Sequence, residues 1–589
     1  MKKIYLWGMW RFLRLVLAFL VAFIIAVILG TLLLTLSFTG AVVALSQKQK
    51  PIIALPDSSW LYIPLTGELR EYQRDDLEAP SFSVLSLAFS EPKAAVPTLE
   101  ELRRALEAAA ENKKIRGIVL YAGALEANPA QVQQIGRWLR DFQKKSQKPI
   151  HIYGEYYTEK TYYLAALADS AFMYPGAGGG VEWNGVTAEG IFFRKAFQRW
   201  GIRPILVRVG KYKSAAESFT EEQFSEANRE QLRLLLENVW TTWIDSVSAW
   251  RGVPAESLRT WPDTRIFLSP KEAKNAGLVD ALLSWENWQK AFTGEYSAKN
   301  KRLIPVSRLL REVEEKKEKA PKVAILYAEG GIGPTEDLQA EDMVPEIERL
   351  RQDTTVKAVI LRVNSPGGAV LDSDRMATAL KALKAEKPLI VSMGGVAASG
   401  GYYISAYADS IFAERTTVTG SIGVIGILFN IRELMEKHLD LRSDRVRVGG
   451  RYADFLSPYR EPDAAEIARL QGSIDEVYQE FLQVVKAGRR FPSVEAVHSI
   501  AQGRVWSGAD ALEVGLVDGL GGLERALEAA RQKAGLDKYT VITAPKKKSF
   551  VEKWLSKWGE SLAWLTKLGS KPSLPTQVLQ MRLPEVWID

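Results

Sequence analysis

The 589-residue chain contains no cysteine and only three histidines. The absence of cysteine excludes thiol catalysis, disulfide bonds and metal sites built from thiolates. The histidines, His151, His438 and His498, are scattered and show neither an HExxH nor another zinc-ligand spacing. We therefore expect no metal and no cofactor, and a serine nucleophile in this chain could need a base other than histidine.

Charged residues are also missing near the N-terminus, where none occurs from Leu15 to Gln47. The apolar run at 15–36 exceeds the roughly 20 residues that cross a bilayer, and a cleaved signal peptide would have only about 7 to 15. Basic residues are denser before this run than after it, which predicts a cytoplasmic N-terminus. We expect a cytoplasmic segment at 1–14, a single transmembrane anchor at 15–36 and a linker at 37–57. The catalytic body would then lie on the periplasmic or outer face of a bacterial inner membrane.

The net charge of +7 is spread along the chain, with dense basic runs at the N-terminus and at Lys546–Lys548. No nucleic-acid-binding motif accompanies these runs, so we expect no nucleic-acid partner. Beyond the second run, aromatic and aliphatic residues recur at helical intervals from Phe550 to Leu565. Residues 546–589 are therefore predicted to be a basic, tryptophan-rich amphipathic tail, which lies in a membrane interface or docks on the body or a neighbouring subunit.

The stretch Met393–Ser405, MGGVAASGGYYIS, follows an apolar run that is typical of a buried strand. Its central serine, Ser399, lies between two alanines and two glycines. Small neighbours at a strand-to-helix turn leave a hydroxyl bare and let a substrate backbone approach, so Ser399 is the candidate nucleophile.

A second glycine-rich stretch, Arg362–Gly368 with the sequence RVNSPGG, follows another apolar strand at 356–361. Two glycines after a proline can turn backbone N–H groups toward one point, which a developing oxyanion requires. Either stretch alone could be an ordinary turn of an α/β fold. Together they favour an active site.

The two halves of the chain match each other at an offset of about 240 residues. Residues 161–172 match 401–412, residues 207–210 match 446–449, and residues 276–280 match 514–518. Each half alternates short apolar strands with helical patterns, which predicts βαβ units and a largely parallel sheet. The fold class is thus α/β, with a first repeat at 58–310, a charged linker at 311–322 and a second repeat at 323–545. Sites in such sheets lie at the carboxyl ends of the strands, where both glycine-rich stretches fall.

The two repeats differ in a complementary way. Glu159 stands where the second repeat has Ser399, and the first repeat also lacks the Pro-Gly-Gly loop. The first repeat has instead Lys213 in GKYKSAA, which aligns with Ala453. This pattern is expected if one site forms where the repeats meet, with Lys213 facing Ser399. Spacing alone does not exclude Lys211.

With these motifs, the chain resembles the signal peptide peptidases of the protease IV type in their long, tandem-duplicated form. The resemblance covers about residues 58–535 and rests on RVNSPGGAV, GGVAASGGYYIS, TVTGSIGV and VGKYKSA. It implies a crotonase- and Clp protease-like fold with ββα-type units, a single-pass anchor, and cleavage of hydrophobic peptides such as released signal peptides. It also implies a homotetramer.

The resemblance further implies a Ser/Lys dyad. Ser399 would be the nucleophile and Lys213 the general base and acid, with Ser421 orienting the lysine and the N–H groups of Gly368 and Ser399 binding the oxyanion. Such a lysine needs its pKa lowered from about 10.4, which burial between two repeats can achieve. Gly394–Val396 departs from the commoner Asp-x-Ala-Ala-Ser pattern of the family.

Two other functions fit parts of the sequence. A crotonase-like acyl-CoA enzyme would use a similar oxyanion loop, and a non-catalytic membrane scaffold would use the anchor. The paired serine and lysine favour a membrane-anchored serine endopeptidase over both.

Overall fold

The computed structural model describes residue 30 and residues 55–72, 96–297, 300–313, 320–545, 580–582 and 587–588. From Asp57 onward these residues belong to one compact unit. The predicted segment at 1–14, the predicted anchor at 15–36 except residue 30, most of the linker at 37–57, and the predicted tail helix at 550–565 lie outside the described residues. Within the part of the chain that is described, no helix combines the length and apolar character needed to cross a membrane.

The first repeat consists of a parallel sheet flanked by helices. Its strands are β1 (Ser59–Glu68), β2 (Ile115–Glu126), β3 (Ile150–Gly154), β4 (Tyr156–Tyr157), β5 (Ser170–Met173), β6 (Gly180–Val181), β7 (Ala188–Glu189), β8 (Arg203–Val209), β9 (Ala281–Leu282) and β10 (Leu303–Pro305). Its helices are α1 (Leu99–Glu111), α2 (Pro129–Ser146), α3 (Glu159–Leu167), α4 (Arg194–Trp200), α5 (Glu217–Thr220), α6 (Glu226–Arg251), α7 (Ala255–Thr264), α8 (Pro270–Asn275), α9 (Trp285–Thr293) and α10 (Val306–Val313).

The second repeat has the same plan. Its strands are β11 (Lys322–Glu329), β12 (Val356–Ser365), β13 (Gly367–Ala369), β14 (Leu389–Ala398), β15 (Ser410–Ala413), β16 (Val418–Gly420), β17 (Val424–Asn430), β18 (Val505–Ser507), β19 (Gly519–Leu520) and β20 (Thr540–Ala544). Its helices are α11 (Ala340–Gln352), α12 (Val370–Glu386), α13 (Gly400–Ser405), a π-helical turn (Leu434–His438), α14 (Ala464–Arg489), α15 (Val494–Ile500), α16 (Gly508–Glu513) and α17 (Leu523–Lys533). Two short strands, β21 (Gln580–Arg582) and β22 (Trp587–Ile588), follow near the C-terminus.

Strand order confirms the predicted duplication. The first sheet runs β10-β1-β2-β3-β5-β9, and the second contains the corresponding path β20-β11-β12-β14-β15-β19. All neighbours along both paths pair in parallel. The second sheet differs at the carboxyl end of β14, which continues past the length of β3 and pairs with β16. This extension carries the candidate nucleophile.

The predicted elements form because their local signals agree with their burial. The strand predicted at 356–361 and the strand predicted before Ser399 lie within β12 and β14. Both are almost entirely buried, as apolar runs covered by helices on both faces should be. Helix α1 begins after Thr98, which forms a complete capping box with Glu101. Helix α10 extends to Val313, across the predicted repeat boundary at residue 310, and β11 begins at Lys322. Residues 314–319 of the predicted linker lie outside the described residues.

A smaller sheet with the order β13-β21-β17-β8 joins the repeats. Strand β8 of the first repeat pairs antiparallel with β17 of the second, from Val209 opposite Val424 to Arg203 opposite Asn430. Because β8 leads directly into the segment with Lys213, this pairing brings a lysine of the first repeat to the carboxyl edge of the second sheet.

Candidate active site

Ser399 stands at the junction of β14 and α13 and is fully buried. Its backbone has φ 56° and ψ −117°, a conformation that residues other than glycine rarely adopt. Hydrogen bonds on both sides hold this strained turn: Ser399 N–H donates to the Gly420 carbonyl at 2.8 Å, and Tyr403 N–H donates to the Ser399 carbonyl at 2.9 Å. The predicted strand-to-helix turn at Ser399 is therefore present and tightly fixed.

The glycines after Ser399 allow the RVNSPGG loop to pack directly on this turn. A Cβ at Gly400 would lie 2.6 Å from Ser373 Oγ and 3.2 Å from Gly368 N, and a Cβ at Gly401 would lie 2.5 Å from the Ser365 carbonyl oxygen. Any larger residue at either position would push the loop away from Ser399.

Strand β13 turns one N–H of this loop toward the site. On one side of β13, Ile332 N–H donates to the Gly367 carbonyl at 2.9 Å, and Ala369 N–H donates to the Ile332 carbonyl at 2.7 Å. Successive backbone groups of a strand point to opposite sides, so Gly368 N–H points away from Ile332. The backbone nitrogen of Gly368 lies beside Gly400, where an oxyanion formed at Ser399 would need a donor.

The structure corrects the second predicted oxyanion donor. Ser399 N–H already donates to the Gly420 carbonyl, so it is not available to a substrate. Gly400 N–H is the better candidate, because the first residues of a helix leave their N–H groups unsatisfied. Among the described residues Gly400 N–H has no acceptor. The signal for Gly400 in the sequence was the predicted helix start immediately after Ser399.

A bulge before Ser399 explains the unusual Gly394–Val396 sequence. Strands β12 and β14 shift register between Val363 and Ser365, so that Gly394–Val396 loops out of the pairing. Asn364 Oδ1 accepts a hydrogen bond from Val396 N–H at 3.1 Å, and Thr417 Oγ1 donates to the Gly394 carbonyl at 2.8 Å. These contacts fix the bulge and so the end of the strand that carries Ser399.

The first repeat packs against the bulge and requires a glycine there. A Cβ at Gly395 would lie 1.9 Å from Asn128 Nδ2, and Asn128 is held in place as the N-cap of α2. We predict that Gly395→Ala destabilises the protein by about 1–3 kcal/mol through overpacking and lowers kcat by displacing Ser399. Urea unfolding and peptide hydrolysis measure the two effects.

The double variant Asn128→Gly/Gly395→Ala is the control for this prediction. Glycine is tolerated at an N-cap at a cost of only a few tenths of a kcal/mol, and it removes the colliding amide. The double variant should recover most of the lost stability and activity. Equal loss in the single and double variants would contradict the packing explanation.

The segment after β8 inserts Lys213 between two loops of the second repeat. A Cβ at Gly210 would lie 2.4 Å from the carbonyl of Gln502, and Tyr212 N–H donates to that carbonyl at 2.9 Å. Gly503, with φ 77°, lies so close to Lys213 that a Cβ there would be 2.6 Å from the Cβ of Lys213. The lysine backbone is therefore fixed on both sides.

The side chain of Lys213 ends at Ser399. Its Nζ lies 2.8 Å from Ser399 Oγ, 3.0 Å from Ser421 Oγ and 3.1 Å from the Ser421 carbonyl oxygen. A neutral lysine amine has two N–H donors and one lone pair, which matches these three partners. The two N–H groups can donate to Ser421 while the lone pair accepts the proton of the Ser399 hydroxyl. A charged ammonium has no lone pair to accept it.

Burial favours the neutral form of this amine. Lys213 is only 1% exposed, and its removal from water lowers its pKa to about 7. No carboxylate of the described residues offsets this effect. Lys211, the alternative that spacing left open, is exposed and lies over the Tyr212 ring, with 5.2 Å from Nζ to the ring centroid.

Comparison with known proteins agrees with this geometry. The sequence model of the family described as Peptidase family S49 matches residues 142–297 and 381–537, once in each repeat. The chain belongs to peptidase family S49. A second model, described as Clp protease, matches residues 323–418 of this S49 peptidase. The predicted resemblance to protease IV-type signal peptide peptidases and the predicted Clp protease-like fold are confirmed, and the chain is a serine-type endopeptidase.

Three relatives cover most of the S49 peptidase. Serine protease SPPA, chloroplastic, of Arabidopsis thaliana is 33% identical over 460 residues, which are 74% of this chain and 66% of the relative. Protease 4 of Salmonella typhi is 31% identical over 459 residues, or 75% and 73% of the two chains. Protease 4 of Haemophilus influenzae is 31% identical over 514 residues, or 84% and 82%.

A buried ion pair joins the repeats of the S49 peptidase beside the site. Arg362 Nε lies 2.9 Å from Glu71 Oε2, and both side chains are almost fully buried. Arg362 also donates to Ser392 Oγ at 2.8 Å and to the Met393 carbonyl at 2.9 Å. The sequence pointed to the Arg362 motif but not to Glu71, because no local pattern marks an ion-pair partner 291 residues away.

The remaining titratable residues singled out by the sequence lie outside the site of the S49 peptidase. His151 packs among aromatic rings of the first repeat, and burial lowers its pKa to about 4. His498 Nδ1 shares a hydrogen bond with the Tyr478 hydroxyl, and the His438 ring contacts the Trp200 ring. Glu159, the counterpart of Ser399, accepts a hydrogen bond from Asn184 N–H at 2.7 Å. In the described part of the chain, no group of acidic residues and histidines could hold a metal ion.

Proposed function

We propose that this S49 peptidase cleaves hydrophobic peptides, including released signal peptides, with Ser399 as nucleophile and Lys213 as general base and acid. The observation that carries the proposal is the 2.8 Å separation of Lys213 Nζ from Ser399 Oγ at a buried site without a carboxylate partner for the lysine among the described residues. An uncharged amine beside a serine hydroxyl is a sufficient base for nucleophilic catalysis.

In the first half of the reaction, Ser399 Oγ attacks the carbonyl carbon of the scissile peptide bond while Lys213 Nζ takes the hydroxyl proton. The carbonyl oxygen becomes an oxyanion that accepts hydrogen bonds from Gly368 N–H and Gly400 N–H. Losing one such donor typically costs about 3 kcal/mol of transition-state stabilisation. The C–N bond then breaks, the Lys213 ammonium gives its proton to the leaving amine, and an acyl-Ser399 ester remains.

In the second half, Lys213 Nζ takes a proton from water, and the hydroxide attacks the ester carbonyl carbon. Collapse of the second tetrahedral intermediate breaks the ester bond, returns the proton to Ser399 Oγ and releases a carboxylic acid. Ser421 accepts the N–H groups of Lys213 through both its hydroxyl and its carbonyl, which orients the lone pair toward Ser399 in both halves.

Substrate class is tested by hydrolysis of matched peptides by the full-length protein in detergent. A signal-peptide-like peptide with a leucine- and alanine-rich core should be cleaved with a kcat/KM at least tenfold above that of a peptide of equal length with serine and glutamine in the core. The Ser399→Ala protein serves as the background. Equal rates on both peptides would contradict the hydrophobic preference.

We further propose that the protein is held in a bacterial inner membrane by the anchor at 15–36, with its N-terminus in the cytoplasm and its body on the outer face. The uninterrupted apolar run and the excess of basic residues before it support this topology. Membranes washed at alkaline pH should retain the protein, and protease added to spheroplasts should digest the body. Release by the wash would exclude an integral anchor.

The family resemblance implies a tetramer. An exposed segment of the second repeat, residues 442–448, supports self-association of this kind. Residues 446–449 match 207–210, which lie at the end of β8. Whereas β8 pairs with β17 of the other repeat, the counterpart of β8 at 442–448 forms no strand, and Val446 and Val448 are 93% and 90% exposed. We propose that this segment pairs with the first repeat of a second copy, as β8 and β17 pair within the chain.

The interface proposal is tested by replacing Val446 and Val448 with glutamate. Light scattering of the detergent-solubilised protein should show a smaller assembly, because two buried charges would oppose pairing. The matched control is Ile266→Glu, which changes another exposed aliphatic residue and should leave the assembly intact. An unchanged mass for the double variant would contradict this interface.

A further inference from the structure

A segment near the C-terminus lies in the groove beside the active site. Strand β21 pairs antiparallel with β13, which places Gly367 opposite Arg582, Gly368 opposite Met581 and Ala369 opposite Gln580. On its other edge β21 pairs antiparallel with β17, where Ile425 lies opposite Gln580. Residues 580–582 thus fill the space between the oxyanion loop and the strand that follows Ser421.

The register places the backbone of Met581 at the proposed oxyanion donor. Ile332 uses the Gly367 carbonyl and the Ala369 N–H on one edge of β13. The N–H and carbonyl of Gly368 therefore face the opposite edge, which is the edge that pairs with Met581. A substrate carbonyl attacked by Ser399 needs this same N–H, so the chain and a substrate cannot use it together.

The edges of β13 and β17 are also what an extended peptide would bind. A peptide that adds a strand between them gains backbone hydrogen bonds on both sides without needing a particular sequence. Strand β22, which follows β21, also pairs with the body: it lies antiparallel to β7 of the first repeat, with Trp587 opposite Glu189 and Ile588 opposite Ala188.

Resting on the proposed peptidase function, we infer that residues 580–582 are an internal competitor for the peptide groove. The strand occupies the groove in the absence of substrate and must leave before a peptide can be cleaved. The occupant is a segment of this chain, and the interaction is backbone pairing of β21 with β13 and β17. Its effect is to raise the KM of peptide hydrolysis and leave kcat unchanged.

The size of the effect follows from tethering. A competitor on the same chain is present at its own site at an effective concentration on the order of millimolar, provided that the connecting residues span the distance. If a three-residue strand binds with a dissociation constant of about 0.1–1 mM, the competitor raises KM about two- to tenfold at that effective concentration. Removing the pairing should lower KM by the same factor.

The experiment compares Met581→Pro with Met581→Ala in the full-length protein. Proline has no N–H to donate to the Gly368 carbonyl and cannot be accommodated in a strand that is paired on both edges. Alanine keeps the backbone group and serves as the matched control. Hydrolysis of a fluorogenic hydrophobic peptide should give a KM two- to tenfold lower for Met581→Pro, with unchanged kcat, and a KM for Met581→Ala close to that of the parent.

A binding measurement separates this inference from the peptidase function. In the Ser399→Ala background, the labelled peptide should bind more tightly to the Met581→Pro variant, as measured by fluorescence anisotropy. If the parent hydrolyses the peptide and both variants share its KM and affinity, the internal competitor is excluded while the peptidase function stands. If the parent hydrolyses no peptide at all, the proposed function itself fails.

Discussion

Replacing Ser399 or Lys213 with alanine is expected to reduce kcat for peptide hydrolysis by about 10⁴-fold or more while the protein remains folded. Removing a nucleophile or its base from a serine peptidase has effects of this order, and the double variant should lose little more than either single variant because the residues act as a unit. The 2.8 Å contact between them and the burial of both side chains are the structural reasons. Peptide hydrolysis and labelling by a fluorophosphonate measure the loss.

Lys211→Ala is the matched control for this prediction. It removes a lysine two residues away on the same segment, but its side chain is exposed and stacks on Tyr212. Its kcat should stay within about twofold of the parent, because the Lys211 side chain lies over the Tyr212 ring and not at Ser399. A protein in which Lys211→Ala is inactive and Lys213→Ala is active would overturn the assignment.

The logarithm of kcat/KM is expected to rise with pH with a slope near one and to level off above an apparent pKa of about 7. Lys213 must be neutral to accept the Ser399 proton, and burial lowers its pKa to about 7. Below that value the active fraction falls about tenfold per pH unit. An apparent pKa near 4 in this profile would indicate a carboxylate base instead.

Glu329 is a second buried group that titrates near neutral pH. Burial and the nearby Glu71 carboxylate raise the pKa of Glu329 to about 7. Its carboxylate accepts the N–H of Glu71 at 3.0 Å, so it acts between the repeats rather than at Ser399. The Glu329→Gln variant should therefore keep the apparent pKa of kcat/KM unchanged. A shift of this apparent pKa in the variant would show that Glu329, and not Lys213, controls the pH dependence.

The same lysine is expected to make stability depend on pH. Because its folded pKa lies below the unfolded value of about 10.4, the unfolded chain binds more protons between about pH 7 and pH 10.4, and the stability contributed by Lys213 rises with pH across this window. The difference amounts to at most about 5 kcal/mol. Lys213→Met should raise Tm at pH 6 more than at pH 10, and Lys211→Met should change Tm at neither pH.

Local patterns predicted the scaffold and the serine side of the site well. The strands and helices around Ser399 form where apolar runs and capping residues indicated them, and the two repeats share one strand order. The strand-to-helix turn at Ser399 follows from small residues that permit close packing with the RVNSPGG loop. These features depend on residues near one another in sequence, so they can be recognised without the fold.

The oxyanion donors and the bulge could be interpreted only from the tertiary structure. The assignment of Ser399 N–H as a donor was wrong because that group pairs with Gly420 in the neighbouring strand. Position 395 requires a glycine because Asn128 of the other repeat packs directly against it. Neither partner is marked by a pattern in the sequence, because which strand edges and helix ends meet is decided by packing.

The sequence by itself determined that this protein is a duplicated α/β chain with a serine on one copy and a candidate lysine on the other. Only the tertiary structure decided which lysine reaches the serine and in what state of charge. Lys213 and Ser399 are 186 residues apart and meet because β8 of one repeat pairs with β17 of the other. The lowered pKa arises from the burial that this meeting creates, and burial is a property of the packed molecule rather than of any segment of it.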